Sequence, residues 1–513
     1  MIQKTNKLVN VKHAGKKYEV DIDPSDNGLT FKMQLFSLTG VPPDRQKILV
    51  KGGQLKDDAE LSSLNIKPNH TFMMLGTVGE LKAPEKKMVF AEDMTDRQLV
   101  QSGMVKTPNG LVNMGNTCYA NSSLQALRTV PELQTALNTY KGGIINNPQA
   151  PDMAGALRDL YLSMKGTTQA YYPVGFITMF RKAFPQFDER DNEGGYKQQD
   201  AEEAWSQLLN TLRPKLELEP AASSSAVAGT ESASNNANSS FVDQYFGGSF
   251  ETVLKCNEDG STDEPRPGHE TFLKLDCHIT ISTNFLRDGL LAGLEEKIEK
   301  HSDSLGRNAQ FTLSRKISRL PKYLTVHYIR FFWRRDTQKK SKILRKVAFP
   351  FTLDVTEFLS DDLRKKVVPA RDRFREVQKD QEELRRSAKR ARLGGEGSKA
   401  SETDDVKEDG TISDSRLAEF KNQVSQAVDP DLAKDPGTNP FGLYELSAIV
   451  THGGSSADSG HYQAFTRNDK EPGKWWKFND DKVTEVDEAK IETLAGGGES
   501  DSALILLYRA VSL

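Results

Sequence analysis

The first 78 residues carry the pattern that most limits what this chain can become. LVNV (8–11) and KYEVDI (17–22) are short strand candidates on either side of Ala14-Gly15, a hairpin signal. TFKMQLFSLTG (30–40) places Phe31, Leu35 and Leu38 at helical spacing, with Gly40 where a C-terminal cap glycine belongs and Pro42-Pro43 to stop the helix. QKILV (46–50) reads as a strand, Gly52-Gly53 as a turn and HTFMML (70–75) as a closing strand. The elements then give way to residues 81–105, polar and charged with little periodicity, which read as a linker. The expected organisation is a small domain at 1–80, the linker, and a second domain at 106–513.

Composition sets limits on the whole. A formal net charge of −3 argues against a chain built as a nucleic-acid or membrane-surface binder. No apolar run approaches the roughly 20 residues of a membrane span. Three cysteines cannot form a disulfide framework, so a reducing, intracellular setting is expected. Apolar residues make up 36%, slightly below the globular norm, as polar insertions into a folded chain would produce. Two stretches fit that description. PAASSSAVAGTESASNNANSS (220–240) has almost no large apolar side chain to offset its ordering entropy. Residues 370–436 begin with a highly charged helical candidate (371–393) and pass into a low-complexity stretch, so disorder is expected over 394–415. The basic cluster Arg385, Arg386, Lys389, Arg390 and Arg392 is flanked by acidic runs and reads as a solvated face.

The order strand, strand, helix, strand, strand resembles the β-grasp fold of ubiquitin, and VPPDRQKILVKGGQLKDDAELSSLNI (41–66) resembles ubiquitin's middle section. LGTVGEL (75–81) lacks the terminal di-glycine that conjugation requires, so the unit is expected to stay in the chain. Aligned on ubiquitin, Leu49, Met73 and Leu75 fall where ubiquitin carries its apolar recognition patch. Strand alternation puts Met73 and Leu75 on one face and Phe72 and Met74 on the other.

The second domain opens with GLVNMGNTCYANSSLQALRTVPEL (110–133). Tyr119, Leu124, Leu127 and Val130 give a helical stripe starting near Cys118 and expected to end at Pro131, with Asn116 and Thr117 as cap types. A cysteine in a helix's first turn sees the positive end of the dipole, which favours thiolate. A thiolate mechanism also needs a histidine and a group to aim it. Of eight histidines, His13 and His70 fall in the first domain, His327 sits in a strand pattern that suggests a structural role, and His269, His278 and His301 lack a suggestive context. His461 in DSGHYQAFTRND (458–469) precedes a strand, and KWWKFNDDKV (474–483) reads as the next one. A hairpin of the two returns the residues after Phe478 to His461; His452 is the alternative base.

Gly110, Asn113, Gly115, Asn116, Thr117, Cys118 and Tyr119 resemble the cysteine box of the ubiquitin-specific proteases. Gly460, His461, Tyr462, Trp475, Phe478, Asn479 and Asp480 resemble their histidine box, and YKQQDAEEAW (196–205) their glutamine box. The resemblance implies an α+β protein, a β-grasp ubiquitin-like domain followed by a papain-like protease domain with helical and β subdomains. It implies Cys118 as nucleophile, His461 as base and acid, Asn479 as orienter and the Asn113 amide in the oxyanion hole, with Gln199, Tyr462 and Gly460 near the substrate. Asp480 and Asp481 stand as alternative orienters, although alternation along a strand keeps Asn479 and Asp480 from both reaching His461. Cys256 and Cys277 belong to no CxxC pair, so no metal and no cofactor are expected.

A ubiquitin-like module ahead of this domain resembles the proteasome-associated members of the family. That implies a deubiquitinase acting on ubiquitin and polyubiquitinated proteins, docked on the 26S proteasome regulatory particle through Leu49, Met73 and Leu75, and cytoplasmic and nuclear. It also implies that the loops 329–338 and 452–462 border the cleft. A non-catalytic ubiquitin-binding proteasome adaptor and a cysteine protease of broad specificity are the rival readings.

Overall fold

The computed structural model describes residues 7–51, 53–77, 107–142, 152–218, 240–335, 339–393, 411–456, 459–498 and 500–512. The expected linker and most of the 220–240 and 394–415 stretches lie outside them. The chain forms two compact units, Met1–Asp93 and Met94–Leu513.

In the first unit, β1 (Lys7–His13) and β2 (Lys16–Ile22) form a hairpin through Ala14 and Gly15, both at positive φ. Helix α1 (Gly28–Thr39) follows, then β3 (Lys47–Val50), β4 (Gly53–Gln54) and β5 (Thr71–Leu75). The sheet order is β2-β1-β5-β3-β4, with β1 and β5 parallel, a β-grasp arrangement. Asn27 caps α1 by accepting from the Thr30 N–H, and Gly40 ends it at φ 69°, donating to Phe36 O. Phe31 and Leu35 are buried as expected, but Leu38 is exposed. The chain leaves the helix through Gly40 and brings Val41 into the core instead.

The second unit begins with helices α2 (Cys118–Leu127), α3 (Pro131–Thr139), α4 (Met153–Met164), α5 (Val174–Ala183), α6 (Ala201–Leu212) and α7 (Phe241–Tyr245). Pro131 does not terminate α2, which ends at Leu127; it is the first residue of α3, where its missing N–H costs nothing. Strands β6 (Gly248–Cys256), β7 (Arg266–Phe272) and β8 (Leu275–His278) precede helix α8 (Leu286–Leu294), and β9 (Glu295–Ser302), β10 (Arg307–Arg319) and β11 (Tyr323–Ile329) follow it. The hairpin β12 (Phe331–Arg334) and β13 (Lys339–Lys342), then β14 (Thr352–Asp354), lead to helices α9 (Asp361–Leu393) and α10 (Asp414–Ala427). The chain closes with β15 (Leu443–Gly453), β16 (His461–Arg467), β17 (Lys474–Asn479), β18 (Lys482–Asp487) and β19 (Ser502–Ala510).

One sheet runs β7-β6-β10-β9; a larger one runs β18-β17-β16-β15-β19-β11-β8, with β14 also on β15. The helices pack around α2 in one core that takes in Tyr462 and Leu504, and the large sheet's other face packs a second core with Trp475 and Tyr508. Every residue of α2 is buried, so this short helix is the axis of the helical subdomain. The charged segment at 371–393 is the latter part of α9, which starts at Asp361 and runs through Pro369. Phe374 and Val377 anchor it to Ile412, Phe420 and Val424. The expected disorder over 394–415 is therefore wrong at its far end, where Ile412 is buried and Ser413 caps α10. Sparse apolar residues at one helical stripe escape a composition average.

Candidate active site

The turn before α2 is tied by Asn113, whose Oδ1 accepts from Gly115 N at 3.0 Å and Thr117 N at 3.2 Å. Gly115 (φ 91°) and Asn116 (φ 51°) sit in the left-handed region that this reversal requires. Thr117 occupies the N-cap position without a side-chain cap bond; its hydroxyl accepts from Met114 N instead. Cys118 is thus the first residue of α2, almost fully buried, with the thiol at the positive end of the helix.

Strand β16 starts at His461, paired across from Gly453, and the half-exposed imidazole stands beside Cys118, the largest influence on its protonation. Its Nε2 donates to Asn479 Oδ1 at 2.6 Å. The contact with Cys118 raises the imidazole from its ordinary value to about 9, against burial and with help from Asn479 and the Asp480 carboxylate. Cys118, His461 and Asn479, far apart in sequence, therefore converge. The alternative His452 is fully buried, edge-on to Phe331 and Tyr462. Burial drives it down to about 3, so it stays neutral.

Strand alternation does not extend to Asp480. Strand β17 ends at Asn479, and Asp480 turns into the left-handed region at φ 52°. Its carboxylate therefore comes within 4.0 Å of His461 Nε2 as well. It accepts from Asn113 Nδ2 at 2.9 Å and from the buried Asn121 Nδ2 at 2.8 Å. Asn113 keeps its second N–H, and its exposed side chain stands beside the turn that leads to the thiol. Gly110 lets these segments meet: a Cβ there would lie 2.5 Å from the carbonyl oxygens of Asp480 and Asp481.

The glutamine pair resolves against the expectation. Gln198, not Gln199, meets the thiol, donating from Nε2 to Cys118 Sγ at 3.2 Å and to Gly460 O at 3.0 Å. Gln199 turns away and donates to Gln186 O. Asp200 caps α6, and the two glutamines ahead of it point in different directions, which composition alone cannot assign. Gly460, at φ 153°, has no room for a Cβ, which would lie 2.4 Å from both Gly453 O and His452 Nε2. Tyr462 is also corrected: it is fully buried in the helical core and does not face the cleft. His327 takes the structural role expected of it, bonding Asp276 through Nδ1 at 2.9 Å.

In the first unit Leu49, Met73 and Leu75 are 47%, 53% and 54% exposed, whereas Phe72 and Met74 are buried. Leu49 pairs with Met73 across β3 and β5, so the exposed side chains share a face, and Leu8 is exposed as well. Among the described residues no helix is long and apolar enough to cross a membrane.

Comparison with known proteins agrees with this geometry. Residues 109–508 match the ubiquitin carboxyl-terminal hydrolase family, and residues 9–79 match the ubiquitin family. The chain is 43% identical to ubiquitin carboxyl-terminal hydrolase 6 of Schizosaccharomyces pombe, over 98% of each chain. It is 40% identical to ubiquitin carboxyl-terminal hydrolase 6 of Arabidopsis thaliana, over 96% of each. It is 32% identical to ubiquitin carboxyl-terminal hydrolase 14 of Caenorhabditis elegans, over 98% of this chain and 93% of that protein.

Proposed function

This chain belongs to the ubiquitin carboxyl-terminal hydrolase family, thiol-dependent deubiquitinases, with a ubiquitin-like domain ahead of the catalytic one, and from that premise we propose how its residues divide the work. Cys118 is the nucleophile, His461 the base and acid, and Asn479 the group that aims the imidazole. The observation that carries this is the buried thiol at a helix N-terminus, beside an imidazole that Asn479 holds at 2.6 Å.

The thiolate attacks the carbonyl of ubiquitin's C-terminal glycine. The oxyanion that forms takes the free N–H of Asn113, which Asp480 holds in place through the other one. The C–N bond of the isopeptide breaks, and the departing lysine amine takes the proton from His461. Water, deprotonated by His461, then cleaves the thioester and releases ubiquitin's carboxylate and the thiol. Gln198 bonds both the thiol and the carbonyl of Gly460, so these two residues stand beside the nucleophile.

The division of the chain is 1–80 for the ubiquitin-like domain, 81–105 for a linker and 106–513 for the protease domain. The exposed face of Leu49, Met73 and Leu75 docks on the 26S proteasome regulatory particle, so that the enzyme acts on proteasome-bound ubiquitinated proteins and recycles ubiquitin. The site of action is then cytoplasmic and nuclear. A ubiquitin thioester-forming probe tests the catalytic reading: it labels wild-type protein at Cys118, and labelling that survives Cys118→Ala moves the nucleophile elsewhere. Hydrolysis of a ubiquitin–fluorophore conjugate with and without purified proteasome tests the partner.

A further inference from the structure

Hairpin β12–β13 is stitched to the segment that leads into His461. Lys342 N donates to Ser455 O at 3.2 Å, Ser456 Oγ donates to Lys340 O at 3.2 Å, and Ser341 bridges Ser456. Beneath these contacts lies a buried lysine. Lys342 is 6% exposed, and its Nζ donates to the carbonyl of His452 at 2.5 Å. His452 faces Tyr462 across the β15–β16 ladder, and the next residue, Gly453, faces His461. The bond therefore falls one residue from the position opposite the imidazole that meets Cys118.

We propose that Lys342 is a positioning residue for His461, pinning the end of the strand pair that presents the imidazole to the thiol. Burying an ammonium group is expensive, and an apolar side chain would fill the same space without that cost. What lysine adds is a short, charge-assisted bond to one chosen carbonyl. Ser502 Oγ reaches the same oxygen only at 3.5 Å, a much weaker contact. Burial, then the nearby Arg330, lowers Lys342 to about 8, while Asp501 acts the other way. Arg330 is already committed, donating to the carbonyls of Ile343, Arg345, Ala495 and Ala503. It fixes the base of the hairpin and leaves Lys342 as the link to β15.

The inference rests on His461 being the catalytic base. The test is steady-state hydrolysis of a ubiquitin–fluorophore conjugate by full-length Lys342→Met and Lys342→Arg, with the alkylation rate of Cys118 by iodoacetamide followed from pH 5 to 10. A misplacement of about 1 Å can cost on the order of 100-fold. Lys342→Met is expected to lower kcat by roughly 10- to 100-fold with KM within about twofold, and Lys342→Arg to recover most of it. Alkylation near pH 6 should fall in Lys342→Met, since a displaced imidazolium no longer holds the thiolate. Should Lys342→Met fail to fold, Lys342→Leu removes the donor with a smaller apolar side chain and carries the same test. A kcat within twofold of wild type in the folded Met or Leu variant overturns the proposal, as does a loss confined to KM. His461→Ala separates the two readings. If it stays active, the base is assigned wrongly; if it is inactive while Lys342→Met is not, only the positioning inference falls.

Discussion

The two units of this chain place function on opposite kinds of surface. In the ubiquitin-like domain the candidate site is a patch of exposed apolar side chains on three neighbouring strands. It needs nothing but the period of two along a strand, because every second residue of β5 faces out. In the protease domain the candidate site is a set of polar groups drawn from four distant segments, at 113–118, 198, 460–461 and 479–480. Each of those groups is held by a partner from another segment. The first kind of site tolerates local error; the second depends on bonds of long sequence separation and is sensitive to each of them.

The sharpest test of that contrast is the largest effect. Replacing Cys118 with Ser or Ala should reduce turnover by roughly 10⁴- to 10⁶-fold, as for other covalent nucleophiles, and leave ubiquitin binding largely intact. Residual turnover above a few per cent of wild type would assign the nucleophile to another residue. Next comes the orienter. Asn479→Ala should cost about 10²- to 10⁴-fold, and more than Asp480→Ala, because Asn479 bonds the imidazole while Asp480 acts mainly through Asn113. Asn479→Asp should stay active, since a carboxylate still accepts from Nε2. A larger loss in Asp480→Ala would reverse the two roles.

The pH profile refines the same point. The active pair needs His461 protonated, and the raised imidazole keeps its proton up to about pH 9. The alkaline limb of kcat/KM, which reports the free enzyme, should therefore fall near pH 9. Asn479→Ala removes one of the bonds that raise the imidazole, so its limb should move to lower pH. A limb that stays in place would show that Asn479 does not contact the protonated ring.

These expectations also mark how far the sequence could be read. Strand alternation separated Met73 and Leu75 from Phe72 and Met74, because that property is local, and the likeness to ubiquitin pointed to the pair that faces out. The resemblance to the family's cysteine and histidine boxes brought Cys118 and His461 together, and the hairpin reading returned the segment at Asn479 to His461. It did not separate Gln198 from Gln199, since which of two adjacent amides meets the thiol depends on how the chain enters the α6 cap at Asp200. Nor did it show Asp480 on the imidazole side. The strand rule holds only while the strand lasts, and a left-handed residue ends it one position early. Tyr462 failed for a related reason: β16 is buried on both faces, so the neighbour of His461 is a core residue.

The smallest expected catalytic effect belongs to the ubiquitin-like domain. Leu49→Ala combined with Leu75→Ala removes two exposed side chains whose loss opens no cavity. The domain core, with Val9, Phe31, Ile48 and Phe72 buried, is untouched, so melting should change little. Association with purified proteasome should weaken by roughly tenfold or more, the usual cost of truncating central apolar contacts in an interface. Hydrolysis by the free enzyme should stay within twofold of wild type, because neither residue belongs to the second compact unit. Deleting residues 1–80 should give the same pair of results in stronger form. Proteasome binding that survives the deletion, or free-enzyme activity that does not, would mean that the two units are not the separable kinds of surface compared above.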